Sequence, residues 1–359
     1  MTKVLMKGNE AIGEAAILAG CRHYFGHPMP PQSELLAYLA KRLPEVNGVF
    51  LQAENETAAI HMTYGAGSAG ARVMTSSSSP GMSLFQEGIS HMAGAEIPCV
   101  IADIMRGGPG LGNVSAAQAD YWQAVKCGGH GDYRTIVFAP ASVQEMIDMT
   151  ISAFDYADRY RNPVVILADG VLAQMMEPVT LPAPTDHTPD SKKWALGNNF
   201  KEKKSGNYST SIFKAKEELE EHNWGLYQKY QVISDHFRKD KPELTYEEYL
   251  CEDADIILTG YGIIARVLQT VVEKCRKRGI KAGLLRPKTL WPFPVEAFQQ
   301  YAETASMFLA VEMSCGQMVE DVKLALNGKK PVYFFGRAGG SVPSDFEIFN
   351  EVDKLAGRN

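Results

Sequence analysis

The sequence lacks several features that would assign it to a common class of protein. None of its six cysteines lies in a CxxC motif, which argues against a zinc site or an iron–sulfur cluster held by this chain and favours reduced thiols in a cytoplasmic protein. There is no run of about 18 apolar residues and no signal peptide before the first predicted strand, so no membrane segment is expected. A net charge of −6 argues against a nucleic-acid or anionic-membrane partner.

A dinucleotide-binding fingerprint is also missing. The segment Met105–Asn113 is rich in glycine, but its spacing fails the GxGxxG template and Pro109 interrupts it. No acidic residue follows a next strand at the expected offset. A nicotinamide-dependent dehydrogenase is therefore a poor explanation for this chain.

What is present is a long alternation of apolar strands and helices. The chain has 359 residues, 45% hydrophobic and 22% charged, which is typical of one large or two ordinary soluble domains. Uninterrupted apolar strands between helices predict α/β folds with doubly wound parallel sheets. We predict a first domain over residues 1–180, a linker and arm over 181–250, and a second, smaller domain over 251–359.

The arm differs from its surroundings in composition. Leu181–Lys193 is rich in proline and charge, Lys201–Ser211 is polar, and Phe213–Arg238 predicts a long charged helix. The arm either packs on another subunit or forms a mobile surface excursion. At the other end of the chain, Asn9 is predicted to cap a helix, and Gln118–Trp122 to begin one.

The stretch around Glu56 carries the strongest chemical signal. Val49–Leu51 predicts a buried strand and Thr57–Ala69 a helix of small residues, so Glu56 lies where a strand ends and a helix begins. Open α/β sheets bind their ligands at such carboxyl ends of strands. A partly desolvated acid there is suited to sharing a proton, although a helix-capping role remains open.

Three further segments are candidate ligand contacts. Arg106 follows the predicted strand Cys99–Ile104, and the glycines after it leave space for a carboxylate, although a surface ion pair is an alternative. His130 lies in the glycine-rich loop Gly128–Arg134 and either donates to a substrate or is merely exposed. The proline-rich loop Gly26–Ser33 is either a rigid ligand wall or a stiff connection.

Taken in order, these segments resemble those of a known family. The chain resembles the alpha subunit of 2-oxoacid:ferredoxin oxidoreductases, enzymes that use thiamine diphosphate, and the 2-ketoisovalerate type is the most similar. The segments that carry the resemblance are GHPMPPQSE (Gly26–Glu34), QAENETAAI (Gln52–Ile60), ARVMTSSSSPGMSLFQEGIS (Ala71–Ser90), MRGGPGLGN (Met105–Asn113), QADYWQA (Gln118–Ala124), GGHGDYR (Gly128–Arg134), ADGVLAQMMEPV (Ala168–Val179) and GQMVEDVKLA (Gly316–Ala325).

The resemblance implies a fold and a set of site residues. The first domain resembles the pyrimidine-binding domain of thiamine enzymes, and the second a transketolase carboxyl-terminal domain. Glu56 then corresponds to the catalytic glutamate that hydrogen-bonds N1′ of the aminopyrimidine ring. Ser78 and Gln86 are expected to contact the same cofactor. Arg106 is expected to hold the substrate carboxylate, with His130 as a further substrate contact.

The proline-rich loop departs from the family pattern. Relatives commonly carry a threonine where this chain has Pro30, so a hydroxyl donor to the substrate is lost, while the Pro30 loop is still expected to contact substrate. His27 replaces a more usual tyrosine. Both changes could alter the range of substrates.

The resemblance also implies that the site is shared between chains. The sequence has no GDG followed by asparagine at the usual spacing, so a beta subunit is expected to hold the diphosphate and Mg²⁺. Gamma and ferredoxin-like delta subunits are expected to complete the complex, with iron–sulfur clusters on the partner chains. The implied reaction is oxidative decarboxylation of 2-ketoisovalerate to acyl-coenzyme A with reduction of ferredoxin, in the cytoplasm of an organism with anaerobic metabolism.

Two alternatives remain at this point. The same complex could act on 2-oxoglutarate or aryl pyruvates. A long dicarboxylate would need another basic residue near Arg106, and Gly110–Asn113 offers none, which favours an apolar substrate side chain. Alternatively, the chain could be a non-catalytic assembly subunit that keeps the fold.

Overall fold

The fold was obtained as a computed structural model that describes residues 3–184, 192–196 and 207–357. Its first half alternates strands and helices from the start. The elements are β1 (Lys3–Lys7), α1 (Gly8–Leu18), β2 (His23–Gly26), α2 (Ser33–Glu45), β3 (Val49–Gln52), α3 (Glu56–Ser68), β4 (Val73–Ser77), α4 (Ser79–Gly94), β5 (Cys99–Met105), β6 (Ile136–Phe138), α5 (Val143–Tyr160), β7 (Pro163–Asp169), α6 (Gly170–Gln174) and β8 (Met176–Thr180).

The second half begins with one long helix and continues the alternation. Its elements are α7 (Lys216–Asp235), β9 (Tyr246–Tyr249), β10 (Ile256–Thr259), α8 (Ile263–Lys277), β11 (Ala282–Pro287), β12 (Thr289–Trp291), α9 (Val295–Ala302), β13 (Met307–Glu312), α10 (Met318–Leu326), β14 (Val332–Gly336) and α11 (Asp345–Leu355). Within the described ranges, no helix is both long and apolar enough to span a bilayer.

The larger sheet has seven strands in the order β12-β6-β7-β5-β4-β2-β3. All neighbours are parallel except β12, which pairs antiparallel with β6. Every residue of β5 and β7 is buried, because helices cover both faces of the sheet. The prediction of a doubly wound parallel sheet is confirmed, and β12 adds an antiparallel edge strand from the second half of the chain.

The second sheet has five strands in the order β14-β13-β10-β11-β9. Four of them are parallel, and the polar strand β9 closes one edge in the antiparallel sense. The predicted second α/β unit is therefore confirmed. The exact limits of the domains, at residues 180 and 251, stay a prediction.

The first residues form structure that was not predicted. β1 pairs antiparallel with β8, and α1 begins at Gly8, after Lys7, rather than at a cap formed by Asn9. The reason is that Asn9 is buried and donates from Nδ2 to the carbonyl of Pro31, 3.0 Å away. Asn9 thus secures the proline-rich loop instead of capping a helix. The segment 118–122 also begins as a loop and reaches helical geometry only at Tyr121.

The arm helix α7 packs on its own chain. Leu226, Tyr230 and Ile233 are buried, and Lys229 forms an ion pair with Glu96 at 3.2 Å. The helix begins three residues after the predicted start at Phe213, and a π-helix over His236–Asp240 continues it past the predicted end at Arg238. Residues 185–191 and 197–206 of the predicted linker lie outside the described residues. Packing of the arm on another subunit stays a prediction.

Candidate cofactor and substrate site

Glu56 lies at the first turn of α3, where β3 ends. Its residue is only 3% exposed, and the Ser77 hydroxyl donates to Oε1 across 3.4 Å. The helix is capped by the neighbouring residue, because Asn55 Oδ1 accepts from the amide of Ala58 at 2.8 Å. A capping role for Glu56 is thus excluded, and its buried carboxylate has further acceptor capacity.

Gly81 lets this carboxylate and the Ser77 hydroxyl pack closely against the start of α4. A Cβ atom at Gly81 would lie 1.9 Å from Ser77 Oγ and 2.6 Å from Glu56 Oε1. Ser78, just before α4, is fully buried, and its hydroxyl has no hydrogen-bond partner among the residues described. The turn from β4 into α4 therefore places a buried hydroxyl, unpaired within the described residues, directly after Ser77, which is hydrogen-bonded to Glu56 of α3.

Gln86 lies farther along α4, with both ends of its amide in use. Its Nε2 donates to the Met82 carbonyl at 3.1 Å, and its Oε1 accepts from the amide of Gly128 at 3.0 Å. The side chain therefore fastens the glycine-rich loop to α4. Cofactor binding by Gln86 stays a prediction.

Arg106 is the last buried side chain at the end of β5. Its Nη1 donates to the Pro30 carbonyl at 2.9 Å and its Nη2 to the Leu111 carbonyl at 3.0 Å, with Met29 Sδ 3.3 Å from Nη1. The residue is 6% exposed, and its Nε has no partner within the described ranges. The structure thus brings Arg106 and Pro30 together, with Pro30 contributing a carbonyl.

The proline-rich loop is held rigidly from below. Tyr24 and Ser76 share a hydrogen bond of 2.6 Å, and the Ser76 hydroxyl lies 2.9 Å from Gln32 Oε1. The Gln32 amide in turn donates to the His27 carbonyl at 2.9 Å. These hydrogen bonds fix the loop against the ends of β2 and β4, and its role as a ligand wall stays a prediction.

His130 lies apart from the other candidates. Its carbonyl accepts from Ser90 at 2.6 Å, and Ser90 is nine residues beyond Gly81, which is about 13 Å along a helix. His130 lines a separate cavity of about 560 Å³ between α4 and the arm, with His91 and His222. Glu56, Arg106 and Pro30 surround the start of α4, whereas His130 lies beyond the middle of that helix. A role for His130 in substrate binding stays a prediction.

Sequence reasoning missed two buried acids behind Arg106. Asp103 is 1% exposed within β5, and Asp120 is 8% exposed in the segment after it. Burial raises the pKa of Asp103 well above its ordinary value, and the charge of Asp120 adds to the shift. Burial also raises the pKa of Asp120 to about 6. An aspartate inside an otherwise apolar strand was the available signal.

The family models and curated proteins that match the chain span nearly all of it. The family model for the thiamine diphosphate-binding domain of pyruvate flavodoxin/ferredoxin oxidoreductases matches residues 14–242, and that for core domain II of pyruvate:ferredoxin oxidoreductase matches 254–348. Ketoisovalerate oxidoreductase subunit VorB of Methanothermobacter marburgensis is 50% identical, covering 100% of this chain and 99% of that protein. 2-Oxoglutarate synthase subunit KorA of Methanothermobacter thermautotrophicus is 34% identical, covering 98% of each.

Two solved structures share the fold. The 2-oxoglutarate:ferredoxin oxidoreductase of Magnetococcus marinus, with 2-oxoglutarate, coenzyme A and succinyl-coenzyme A bound, superposes with a TM-score of 0.84 and 26% identity over 98% of this chain and 65% of that chain. A split-gene transketolase, an inactive beta4 tetramer, gives a TM-score of 0.60 at 15% identity over 97% of each chain. The second likeness bears on the fold alone.

Proposed function

The chain belongs to the family of thiamine diphosphate-dependent 2-oxoacid:ferredoxin oxidoreductases, and from this premise we propose that it is the alpha subunit of one that acts on 2-ketoisovalerate. The proposed reaction is oxidative decarboxylation to the acyl-coenzyme A with reduction of ferredoxin. Support for the substrate comes from the 50% identity to a ketoisovalerate oxidoreductase subunit, against 34% to a 2-oxoglutarate synthase subunit.

The observation that carries the proposal is the surroundings of Glu56. Its carboxylate is buried and hydrogen-bonded to Ser77, the hydroxyl of the next residue, Ser78, is unpaired within the described residues, and Gly81 lets α4 begin in close contact with the carboxylate. These groups fit the aminopyrimidine end of thiamine diphosphate, which when bound supplies the carbanion centre and electron sink for 2-oxoacid chemistry. Glu56 would share a proton with a ring nitrogen, and Ser78 would offer a hydroxyl.

Arg106 would hold the carboxylate of the 2-oxoacid. Its guanidinium is already oriented by the carbonyls of Pro30 and Leu111, and a fixed planar fork suits bidentate binding of a carboxylate. Pro30 provides no hydroxyl, so the substrate loses a donor at that position. Leu111 is 80% exposed beside the arginine and offers apolar surface to a branched side chain.

The rest of the active site is proposed to lie on partner chains. The sequence lacks the motif for a metal-bound diphosphate and the cysteine motifs for clusters, so we assign Mg²⁺ and the diphosphate to a beta subunit. We likewise assign the iron–sulfur clusters to partner chains, with gamma and ferredoxin-like delta subunits completing the complex in the cytoplasm. Coenzyme A would accept the acyl group.

The test is the reconstituted complex with a panel of 2-oxoacids. The chain is purified with its partner subunits, and reduction of a low-potential dye is measured with coenzyme A and each acid. We expect at least as much activity with 2-ketoisovalerate as with 2-oxoglutarate. The reverse order would discard the branched-chain assignment and leave the family unchanged.

Substitution of Glu56 tests whether this chain is catalytic. Glu56→Ala should abolish 2-oxoacid-dependent reduction while the complex still assembles. Glu54→Ala is the matched control, because Glu54 is an exposed glutamate two residues away. Unchanged turnover in Glu56→Ala would favour a non-catalytic assembly subunit instead.

A further inference from the structure

A buried aspartate in the central strand has no ordinary partner. Asp103 lies in β5 between β4 and β7, and no N–H or O–H of the described residues donates to either of its carboxylate oxygens. A buried carboxylate without donors is costly, because burial disfavours the charged form. Burial accordingly raises its pKa well above the ordinary value, and the nearby charge of Asp120 raises it further.

A second buried acid lies beside Asp103. The carboxyl of Asp120 lies within hydrogen-bonding reach of Asp103. Ionised carboxylates only accept hydrogen bonds, so this contact requires a proton on one of the two acids. Paired buried carboxyls that share a proton carry one negative charge between them.

Asp120 is connected to Arg106 through a serine. The Ser79 hydroxyl donates to Asp120 Oδ2 and accepts from the backbone amide of Arg106, 3.0 Å away. The same hydroxyl lies 3.2 Å from the Arg106 carbonyl, and because it has a single hydrogen, this carbonyl and Asp120 compete for it. Donation to Asp120 leaves the lone pairs of Ser79 to the Arg106 amide. Ser79 is also the first residue of α4, two residues before Gly81 beside Glu56. The acceptor at Asp120 therefore fixes the backbone on which the candidate substrate residue stands.

The charges of Asp120 and Arg106 provide a second link between these two residues. The positive charge of Arg106 lowers the pKa of Asp120, against the larger effect of burial that raises it. A single negative charge shared by the two aspartates balances the positive charge of the Arg106 guanidinium. Two negative charges there would repel an incoming substrate carboxylate. Tyr261 also faces the pair, and burial together with the charges of Glu312, Asp120, Asp169 and Asp103 raises its pKa well above the ordinary value, so it stays neutral.

The segment that carries Asp120 is held by the second half of the chain. The amide of Gln118 donates to the Met313 carbonyl at 2.9 Å, and its Nε2 donates to the Tyr261 carbonyl at 2.8 Å. Gln317 Nε2 donates to the Ala119 carbonyl at 2.9 Å. The two residues before Asp120 are thus held in place, which suits Asp120 to act as an anchor.

We propose that Asp103 and Asp120 share one proton, and that Asp120 is a positioning residue that sets the backbone of Arg106 through the Ser79 hydroxyl and balances the charge of its guanidinium. The proposal rests on the proposed function in one respect, namely that Arg106 holds the substrate carboxylate. Asp103 acts only through Asp120, by donating the hydrogen bond that holds its carboxylate in place.

Two substitutions of Asp103 distinguish a role as hydrogen-bond donor to Asp120 from a role in which the side chain only fills its buried space. In the reconstituted complex, Asp103→Asn keeps an N–H donor toward Asp120 and the single charge, so KM for 2-ketoisovalerate should stay within about two-fold of wild type. Asp103→Leu keeps the volume but removes the donor, and KM should rise about ten-fold or more with a smaller change in kcat. Equal KM values in the two variants would overturn the proposal.

Ser79→Ala and Asp120→Ala test the link from Asp120 through Ser79 to Arg106 while Asp103 is left unchanged. Each should raise KM for the 2-oxoacid about ten-fold, and the double variant should be no worse than the more affected single variant, because both break one chain of contacts. Additive effects would overturn it. Glu14→Gln is the control for loss of a buried carboxylate, since Glu14 binds Tyr38 and Arg42 on α2 instead. Its KM should match wild type.

An infrared measurement tests the shared proton independently of turnover. The spectrum of the complex should contain the carbonyl band of a protonated carboxylic acid, and this band should disappear in Asp103→Asn and persist in Glu14→Gln. Its absence from the wild-type complex would overturn proton sharing. If the band is present but none of the 2-oxoacids supports reduction of the dye by the complex, the proposed function has failed and the acid pair stands.

Discussion

Replacing Gly81 by alanine should disable the site by displacing Glu56 while leaving the fold intact. The added Cβ would lie 1.9 Å from Ser77 Oγ and 2.6 Å from Glu56 Oε1. Real Cβ atoms essentially never approach other heavy atoms within 3.0 Å, so the carboxylate must retreat by about 0.4 Å or more and the hydroxyl by over about 1 Å. The hydrogen bond between them is then lost.

The expected loss of activity follows from this displacement. A misplacement of about 1 Å at a reacting group costs roughly 100-fold, so a shift of about half that size or more predicts a 10- to 100-fold fall in kcat/KM. This corresponds to about 1.4 to 2.8 kcal/mol of transition-state stabilisation. Gly81 lies in the first turn of α4, where alanine is favoured over glycine by about 0.5 to 1 kcal/mol, so the helix itself should not weaken.

The assay is 2-ketoisovalerate-dependent dye reduction by the reconstituted complex, with the thiamine diphosphate concentration for half-maximal activity measured in parallel. Gly65→Ala is the first control, because nothing lies within 4 Å of its Cβ position on α3. Gly88→Ala is the second, since its Cβ would lie 2.5 Å from Ile60 and disturb the packing of α3 on α4 away from the carboxylate. Wild-type kinetics in an assembled Gly81→Ala complex would refute the placement of Glu56, and an equal loss in Gly88→Ala would attribute the effect to helix packing.

Three further outcomes are expected. Arg106→Lys loses the planar fork, so KM for the 2-oxoacid should rise roughly 10- to 100-fold, and an unchanged KM would contradict carboxylate binding. Arg286→Met leaves Glu145 without its buried partner and should lower the free energy of unfolding by about 3 kcal/mol in a denaturant titration. Burial raises the pKa of Glu145, but Arg286, the Ala141 amide and Lys288 together lower it below its ordinary value. This stabilisation is therefore present above the ordinary glutamate pKa and is lost as the pH falls below it. Equal acid sensitivity of variant and wild type would contradict this sign. Gly262→Ala, at φ +59° and with its Cβ 2.4 Å from Asp169 Oδ2, should lower the melting temperature.

The sequence predicted the parts of the fold that long apolar runs specify. β5 and β7 were expected almost as they occur, because a strand buried on both faces is apolar throughout. β9 and β12 were not expected. β9 reads YEEY and β12 has three residues, and each is stabilised by pairing with a strand distant in the chain, β11 or β6. Local pattern does not contain that information.

The candidate site was predictable where local rules apply. Glu56 was found because an acid between a strand and a helix is visible in sequence, and Arg106 because it ends a strand before glycines. Asp103 was missed because one aspartate does not alter an apolar run, and its partner Asp120 is held by contacts from Gln118 to Met313. The distance of His130 from the site follows from how far along α4 its loop attaches, which spacing does not give.

The second half of the chain is joined directly to the candidate site by hydrogen bonds. Asp169, at the carboxyl end of β7 beside Met105, caps two helices at once: Oδ1 accepts from the amide of Leu172 at 3.0 Å and Oδ2 from that of Ile263 at 2.8 Å. One buried carboxylate thus joins α6 of the first half to α8 of the second. The same edge of the sheet ends in Arg106, so a shift of α8 must act on the strand end that orients the arginine. Under the proposed role of Arg106, the second half acts on substrate binding through the position that it imposes on this strand end.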